Sequence, residues 1–232
     1  MSRRSKIVGV IGGMGPEATV DFQRRLIAVT PARDDADHLR VLVDNNPKIP
    51  SRIAALIDKI GEDPAPVLCA MALGLEKLGA DFLVIPCNTA HFYLPVIVGA
   101  VTIPVLDMVA LSIGELARLE PKPKRIGMLA SPAVRLVGLY RERLERAGFE
   151  ALFPDSVQEA RILGVIRAVK AGRTGSAERR VYADVAHSLD AADAFLIACT
   201  ELSILGAPEG LARPYVDALD VLVAATLIAA SA

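Results

Sequence analysis

A chain of 232 residues with 53% hydrophobic side chains is long enough to bury one large core or two smaller ones. Its formal net charge of −1, spread without long like-charge blocks, gives no electrostatic footprint for nucleic acid or for an anionic membrane. The longest apolar run, Val221 to Ala230, falls well short of the about 18 residues of a membrane span, and three scattered cysteines make no disulfide framework, so a globular chain in a reducing cytoplasm is expected.

Ser2 to Lys6 precede a short apolar run that continues into Gly12 without a convincing cleavage site, so Lys6–Ile11 is predicted as a first strand and not as a leader. Gly12-Gly13-Met14-Gly15 then turns into a helix opening at Pro16, a favoured first helical residue, and running through Phe22 and Leu26. Glycines at that point let backbone amides approach an anion. The spacing departs from the strict G-x-G-x-x-G of dinucleotide sites; Asp44, after the next strand, could serve as a ribose acid, yet the turn suits a small carboxylate equally.

Leu39–Val43 is the second predicted strand, delivering Asp44-Asn45-Asn46-Pro47 and Ile49-Pro50-Ser51-Arg52 to one edge of the sheet. Arg52 either begins the surface of a helix over Ile53–Ile60 or offers its planar fork to a substrate carboxylate. A helix over Val67–Leu78, which carries Cys69, leads into DFLVIPCNTAH at Asp81–His91. Phe82–Ile85 are apolar and partly β-branched, as a parallel strand covered on both faces requires. Pro86 ends the ladder. Cys87 therefore sits just past the carboxyl end of the strand, where open α/β sheets bind ligands, with Asn88 and Thr89 placed to cap a following helix. A thiol near a helix start has its ionised form favoured; the alternative is that Cys87 is one more buried small hydrophobe. A short strand over Val101–Leu106 ends at Asp107.

Glu120–Arg125 reads as a solvated connector, and after it the pattern restarts. Lys124–Leu129 aligns with Lys6–Ile11 so that Gly127 matches Gly9, and Tyr140 follows Gly127 as Phe22 follows Gly9. DAFLIACT at Asp193–Thr200 repeats the earlier stretch: the offset from Ala192-Asp193 to Cys199 equals that from Ala80-Asp81 to Cys87. Pro214-x-x-Asp217 follows Cys199 much as Pro104-x-x-Asp107 follows Cys87, and Val221–Ala230 makes a final helix. The chain is thus read as two similar α/β halves, residues 1–105 plus 213–232 and residues 106–212, with a cleft between them that both cysteines face.

Two opposed thiols, one ionised and one protonated, can take a proton from one face of an sp³ carbon and return one to the other, so racemisation or epimerisation is the natural reaction. Amides of Asn88-Thr89, Thr200-Glu201 and the Gly12-Gly13 turn are candidates to bind the carboxylate whose charge grows as the α-carbon is deprotonated. Rival readings are a zinc site at Cys87 and His91, for which His38 and His187 show no ligand spacing; a hydrolase with Cys87 as nucleophile and His91 as base, which leaves Cys199 unused; and an inactive small-acid-binding protein. His91 is otherwise an orienting or capping residue.

GGMGPEAT at Gly12–Thr19, N-x-P-x-I-P-x-R at Asn45–Arg52, PCNTAH at Pro86–His91 and CTEL at Cys199–Leu202 resemble the motifs of the cofactor-independent aspartate/glutamate racemase superfamily, in its aspartate racemase branch, over nearly the whole chain. The resemblance implies two Rossmann-like parallel-sheet domains related by pseudo-two-fold symmetry, catalysis by Cys87 and Cys199 without pyridoxal phosphate or metal, and usually a homodimer. It matches the side-chain-carboxylate ligands to Arg52 and to Lys170, in the VKAG closing a predicted helix over Ala160–Ala171, which favours an acidic amino acid. Gly12, Met14, Asn46, Asn88, Thr89, Thr200 and Glu201 complete the expected substrate contacts. The chain departs from the branch at Ser51, where aspartate is common, and at Ala130-Ser131-Pro132-Ala133, a turn that usually carries threonine. Aspartate, glutamate and a broad range of amino acids all stand as substrates at this point.

Overall fold

In the computed structural model, which describes residues 5–52 and 54–231, the chain divides into two compact units. One holds the chain up to Met108 and from Leu219 onward, the other Val109–Ala218.

The first unit comprises β1 (Val8–Gly12), α1 (Pro16–Val29), β2 (Val41–Asn45), α2 (Ala65–Lys77), β3 (Phe82–Val84) and α3 (Leu94–Ala100), with a π-helical turn at Ala54–Asp58 and a 3₁₀ turn at Thr89–Tyr93. Its strands are parallel in the order β2-β1-β3. All five residues of β1 are buried, as a central strand covered on both faces must be. Leu68, Met71, Ala72 and Leu75 of α2 recur at helical spacing and pack with Ile11, Leu83 and Ile85. The strand expected at Val101–Leu106 shrinks to one bridge, between Leu83 and Val105, because the amides of Thr102 and Ile103 donate to the Glu76 carboxylate at 2.7 and 3.2 Å and not to a neighbouring strand. Ser2–Arg4, and Ile53 of the helix expected over 53–60, lie outside the described residues; Ala54–Asp58 of that expected helix form the π-helical turn.

The chain enters the second unit through α4 (Met108–Leu116). There follow β4 (Arg125–Ala130), α5 (Pro132–Leu136), α6 (Arg141–Arg146), β5 (Glu150–Leu152), α7 (Ser156–Lys170), α8 (Ser176–Ser188), β6 (Ala194–Ala198), α9 (Thr200–Leu205), β7 (Tyr215–Asp217) and α10 (Ala218–Ser231), which returns to the first unit. The sheet order is β5-β4-β6-β7, again all parallel. Ile162, Val165, Ile166 and Val169 of α7 join Tyr182, Val185 and Ala186 of α8 around Phe195 and Ile197. The two units are thus duplicated Rossmann-like folds, parallel sheets flanked by helices.

The repeated sequence offsets are register pins. Gly9 pairs with Leu83 and Gly127 with Phe195. A Cβ on Gly9 would lie 2.5 Å from Leu83 Cδ2 and 2.9 Å from Ala80 Cβ, and one on Gly127 would lie 2.6 Å from Phe195 Cε1 and 3.0 Å from Ala192 Cβ. Each glycine makes room for the large apolar side chain of the strand that leads to a cysteine. Asp81 Oδ2 accepts from the Ile7 amide at 2.6 Å, and Asp193 Oδ2 accepts from the Lys124 and Arg125 amides at 3.0 and 2.8 Å. On the other flank Leu83 N donates to Pro104 O at 2.8 Å and Phe195 N to Pro214 O at 2.9 Å. A one-residue slip would turn each strand over, and these contacts forbid it. Phe22 and Tyr140, at matching offsets, are both fully buried.

Two outcomes test the pins. Gly127→Ala should cost about 1–3 kcal/mol in denaturant unfolding, because the added methyl meets the β-carbon of Ala192 as well as the Phe195 ring. The Arg125 amide first, then the Arg125 side chain and the Lys124 amide, pull the Asp193 carboxyl down from 3.8 to about 2. A depressed carboxyl stabilises the fold above its unfolded value and loses that contribution as pH falls through the folded one. Asp193→Asn should therefore lower the Tm at neutral pH and flatten the loss of stability that the parent shows between pH 3.8 and about 2 in thermal melts.

Candidate active site

Beyond β3, Pro86 offers no amide to the ladder and the Cys87 amide turns back onto Ile85 O at 2.7 Å. Cys87 is left 6% exposed at the carboxyl edge of the sheet, in one apolar cluster with Met14, Ile49, Ala90 and Tyr93. Asn88 is buried and Thr89 half-buried; Asn88 stands at the N-cap of a 3₁₀ turn, not of the α-helix expected there, and its side chain makes no capping bond. His91 is buried, with Nδ1 2.9 Å from Cys87 O and Nε2 accepting from the Met108 amide at 3.1 Å. An amide pointing at Nε2 needs a lone pair there, so the ring proton sits on Nδ1 and is donated to the Cys87 carbonyl. Both ring nitrogens thus serve backbone groups and tie the Cys87 turn to the start of α4. Among the described residues no three His, Cys, Asp or Glu side chains gather as a metal-binding group.

Cys199 follows β6 and caps α9, its carbonyl accepting from the Leu202 and Ser203 amides at 2.9 and 3.1 Å. Its thiol, also 6% exposed, donates to Glu201 Oε2 at 3.2 Å. The other oxygen, Oε1, lies 3.1 Å from Lys170 Nζ at the end of α7, a charge contact outside hydrogen-bond geometry. Thr200, between the two, is buried. Burial, then the charge and hydrogen bond of Glu201, push the Cys199 thiol well above its usual range, against the weaker pull of the Leu202 amide and the Lys170 ammonium. A helix start favours a thiolate, but at Cys199 desolvation and a neighbouring carboxylate outweigh it.

Residues that sequence reasoning missed stand around this thiol. Asp217, flagged only through its repeat, accepts from the buried Ser203 hydroxyl at 2.6 Å. Tyr182 of α8 is fully buried, its hydroxyl has no hydrogen-bond partner among the described residues, and its charge would be felt by Asp217 and Cys199. Its sequence signal is only the apolar spacing of Tyr182, Val185 and Ala186.

In the first unit Gly13 has φ +92° and the Asn46 backbone lies 2.3 Å from where its Cβ would be, so only glycine fits. Its amide donates to Thr19 Oγ1 at 2.9 Å, and Thr19 donates onward to Gly15 O at 3.1 Å. Of the Gly12-Gly13 amides expected to meet a carboxylate, that of Gly13 is therefore consumed by the turn itself. Asp44, expected beyond its strand, lies within β2 opposite Ile11. Met14 is a core residue, and Asn46 Oδ1 accepts from the Lys48 amide at 2.9 Å. Ser51 Oγ accepts from Ala54 N at 3.2 Å and so caps the π-helical turn. Arg52 Nη1 donates to Pro50 O at 3.2 Å, while its Nε is buried with no hydrogen-bond partner among the described residues. Its charge acts on Tyr93, in the cluster that holds Cys87. One unit thus gathers Cys87, Met14, Asn88 and Arg52; the other gathers Cys199, Thr200, Glu201 and Lys170.

A family described as Asp/Glu/Hydantoin racemase matches residues 11–226. RacX of Bacillus subtilis (strain 168), a broad specificity amino-acid racemase, is 28% identical over 205 residues, which are 85% of this chain and 86% of that protein. Among solved structures, the aspartate racemase of Picrophilus torridus superposes with a TM-score of 0.87 at 31% identity, covering 97% of this chain and 94% of that one. An aspartate racemase homologue from Pyrococcus horikoshii OT3 has the same fold, with a TM-score of 0.74 at 17% identity over 98% of this chain and 100% of that one. Matched along nearly its whole length by racemases and built from the same duplicated fold, the chain is an isomerase and belongs to the aspartate/glutamate racemase superfamily, in its aspartate racemase branch.

Proposed function

We propose that the protein is a cofactor-independent aspartate racemase in which Cys87 and Cys199 work on opposite faces of one α-carbon. The observation that carries this reading is the duplication itself: each unit holds its cysteine-bearing strand in register by the same pins and ends it in a thiol 6% exposed at the carboxyl edge of its sheet. A single reactive cysteine gives no reason for the second.

In one direction a thiolate takes the α-proton: the C–H bond breaks, an S–H bond forms, and the electron pair enters the substrate carboxylate as an enediolate. The opposite thiol then gives its proton to the other face, leaving inverted product and a cysteine pair with exchanged roles. Amides at Asn88-Thr89 and Thr200-Glu201 stabilise the growing charge. No group beyond the two thiols is consumed, so neither pyridoxal phosphate nor metal is required.

Arg52 supports an acidic substrate, because a buried guanidinium N–H without a partner favours an anion. Lys170 supplies the second cation for the distal carboxylate. Glutamate, or the broad range of the Bacillus subtilis relative, is the second reading. A homodimer working in the cytoplasm completes the proposal; among the described residues no helix is long and apolar enough to cross a membrane.

Cys87→Ala and Cys199→Ala should each reduce racemisation of L-aspartate in deuterated water, read by chirality and α-deuteration, to no more than a few per cent of the parent. Turnover above that level in either variant overturns the two-thiol assignment. Arg52→Ala should lower kcat/KM on aspartate by about ten- to a hundredfold, the equivalent of a charge-assisted bond of about 1.5–3 kcal/mol, and leave any rate on alanine nearly unchanged. Equal losses on both substrates would replace the aspartate reading with the broad one.

A further inference from the structure

In the first unit β2 is an edge strand, since the sheet runs β2-β1-β3. Its backbone faces two ways. The Val8 amide donates to Arg40 O at 3.0 Å, and the parallel register sets Val8 against Val41 and Val10 against Val43, so the backbone groups of Arg40, Leu42 and Asp44 are those turned toward β1. Those of Val41, Val43 and Asn45 point outward and have no hydrogen-bond partner among the described residues. Soluble proteins blunt such an edge with proline, lysine, a bulge or a covering segment. β2 contains neither proline nor lysine, and it pairs with β1 residue for residue without a bulge. It carries instead one charge of each sign, Arg40 just before the strand and Asp44 within it, and neither side chain has an ion pair or hydrogen bond among the described residues.

Side chains alternate along a strand, so Arg40, Leu42 and Asp44 share the face that packs on the cluster of α2, and Val41 and Val43 share the face of α1. A second copy related by a two-fold axis must run antiparallel to the first, and outward backbone groups can bond only to outward groups. The axis then falls at Val41, Leu42 or Val43. At Val41, Arg40 would meet Leu42 of the second copy, and Asp44 would meet His38, which lies outside the strand. At Val43, Arg40 would meet Asn46, and Asp44 would be set against Leu42. At Leu42, Arg40 meets Asp44 on both sides of the axis, at the positions where antiparallel strands bring opposed side chains closest, and Val41 exchanges N–H···O=C bonds with Val43. One register of the three is complementary in charge.

We propose that β2 is a self-recognition edge: two copies of this chain join β2 to β2, antiparallel about Leu42, so that Arg40 of each copy pairs with Asp44 of the other in one continuous sheet. The proposal rests on the homodimer reading above in taking a second copy as the occupant, and it gives that dimer its interface. The axis stands perpendicular to the sheet, so the α1 helices of both copies come to the same side. On that side a cavity of about 480 Å³ opens between α1 and the edge, with Ile27, Thr30, Leu39 and Val41 among its walls, and Ile27 is 59% exposed. Val43 of the second copy comes to lie beside Val41, where it covers this apolar wall.

Sedimentation velocity over a dilution series reads the assembly directly. The parent should be a dimer. Arg40→Asp and Asp44→Arg should each raise the dimer dissociation constant at least about tenfold, because each turns both attractive pairs into repulsive ones. The two variants mixed should form a heterodimer with an affinity near that of the parent, since the mixture restores opposite charges at both pairs, and the two substitutions in one chain should do the same. Recovery on mixing also shows that the single variants are folded. A parent dimer that neither substitution weakens, or weakened variants that mixing does not restore, overturns the proposed edge and leaves the homodimer reading standing. A monomeric parent overturns both. Sedimentation needs no turnover, so the result is independent of whether the protein racemises aspartate.

Discussion

Everything in this protein that bears on chemistry depends on the register between the first strand of each unit and the strand that ends in a cysteine. A parallel strand buried on both faces has no polar face to tell it which way up to lie, so its register must be set by shape and by points of attachment. Shape comes from Gly9 beneath Leu83 and Gly127 beneath Phe195. Attachment comes from the aspartates that begin the strands, Asp81 on the Ile7 amide and Asp193 on those of Lys124 and Arg125. The prolines on the far flank close the frame through their carbonyls. With both ends of a three- to five-residue strand tied, the residue after it has one place to be.

The two frames are alike, and what they hold is not. At Cys87 a histidine gives both ring nitrogens to backbone groups, of the Cys87 turn and of the start of α4. At Cys199 a carboxylate sits against the sulfur and is itself held by a lysine. Duplication therefore kept the delivery of a thiol to the sheet edge while the residues placed around the sulfur diverged.

How much of this was legible in the sequence follows from how local each cause is. The strands, the glycine offsets, the equal spacing from Ala-Asp to cysteine and the paired P-x-x-D stretches could be read because sterics and short-range register write them into consecutive residues. Val101–Leu106 was misjudged as a strand because Glu76, in another element, captures the amides of Thr102 and Ile103. The Gly13 amide looked available because nothing in a glycine-rich turn announces that a threonine six residues on will claim it. Glu201 was visible as a neighbour of Cys199, but its partner Lys170 is 31 positions away, and the proton affinity of a buried thiol depends on that third group. The places of the thiols were legible; their electrostatics were not.

That difference matters for a reaction whose substrate and product are mirror images. Enantiomers have equal free energy in water, so kcat/KM must be the same in both directions whatever the enzyme does, and any unlikeness between the two thiols can appear only in kcat and KM taken separately. On the proposed mechanism a thiol held high in proton affinity makes one free form of the enzyme dominate, with the proton on Cys199, and each turnover in one direction must leave the disfavoured form behind. An enzyme that kept that imbalance with substrate bound would lose rate in proportion to it.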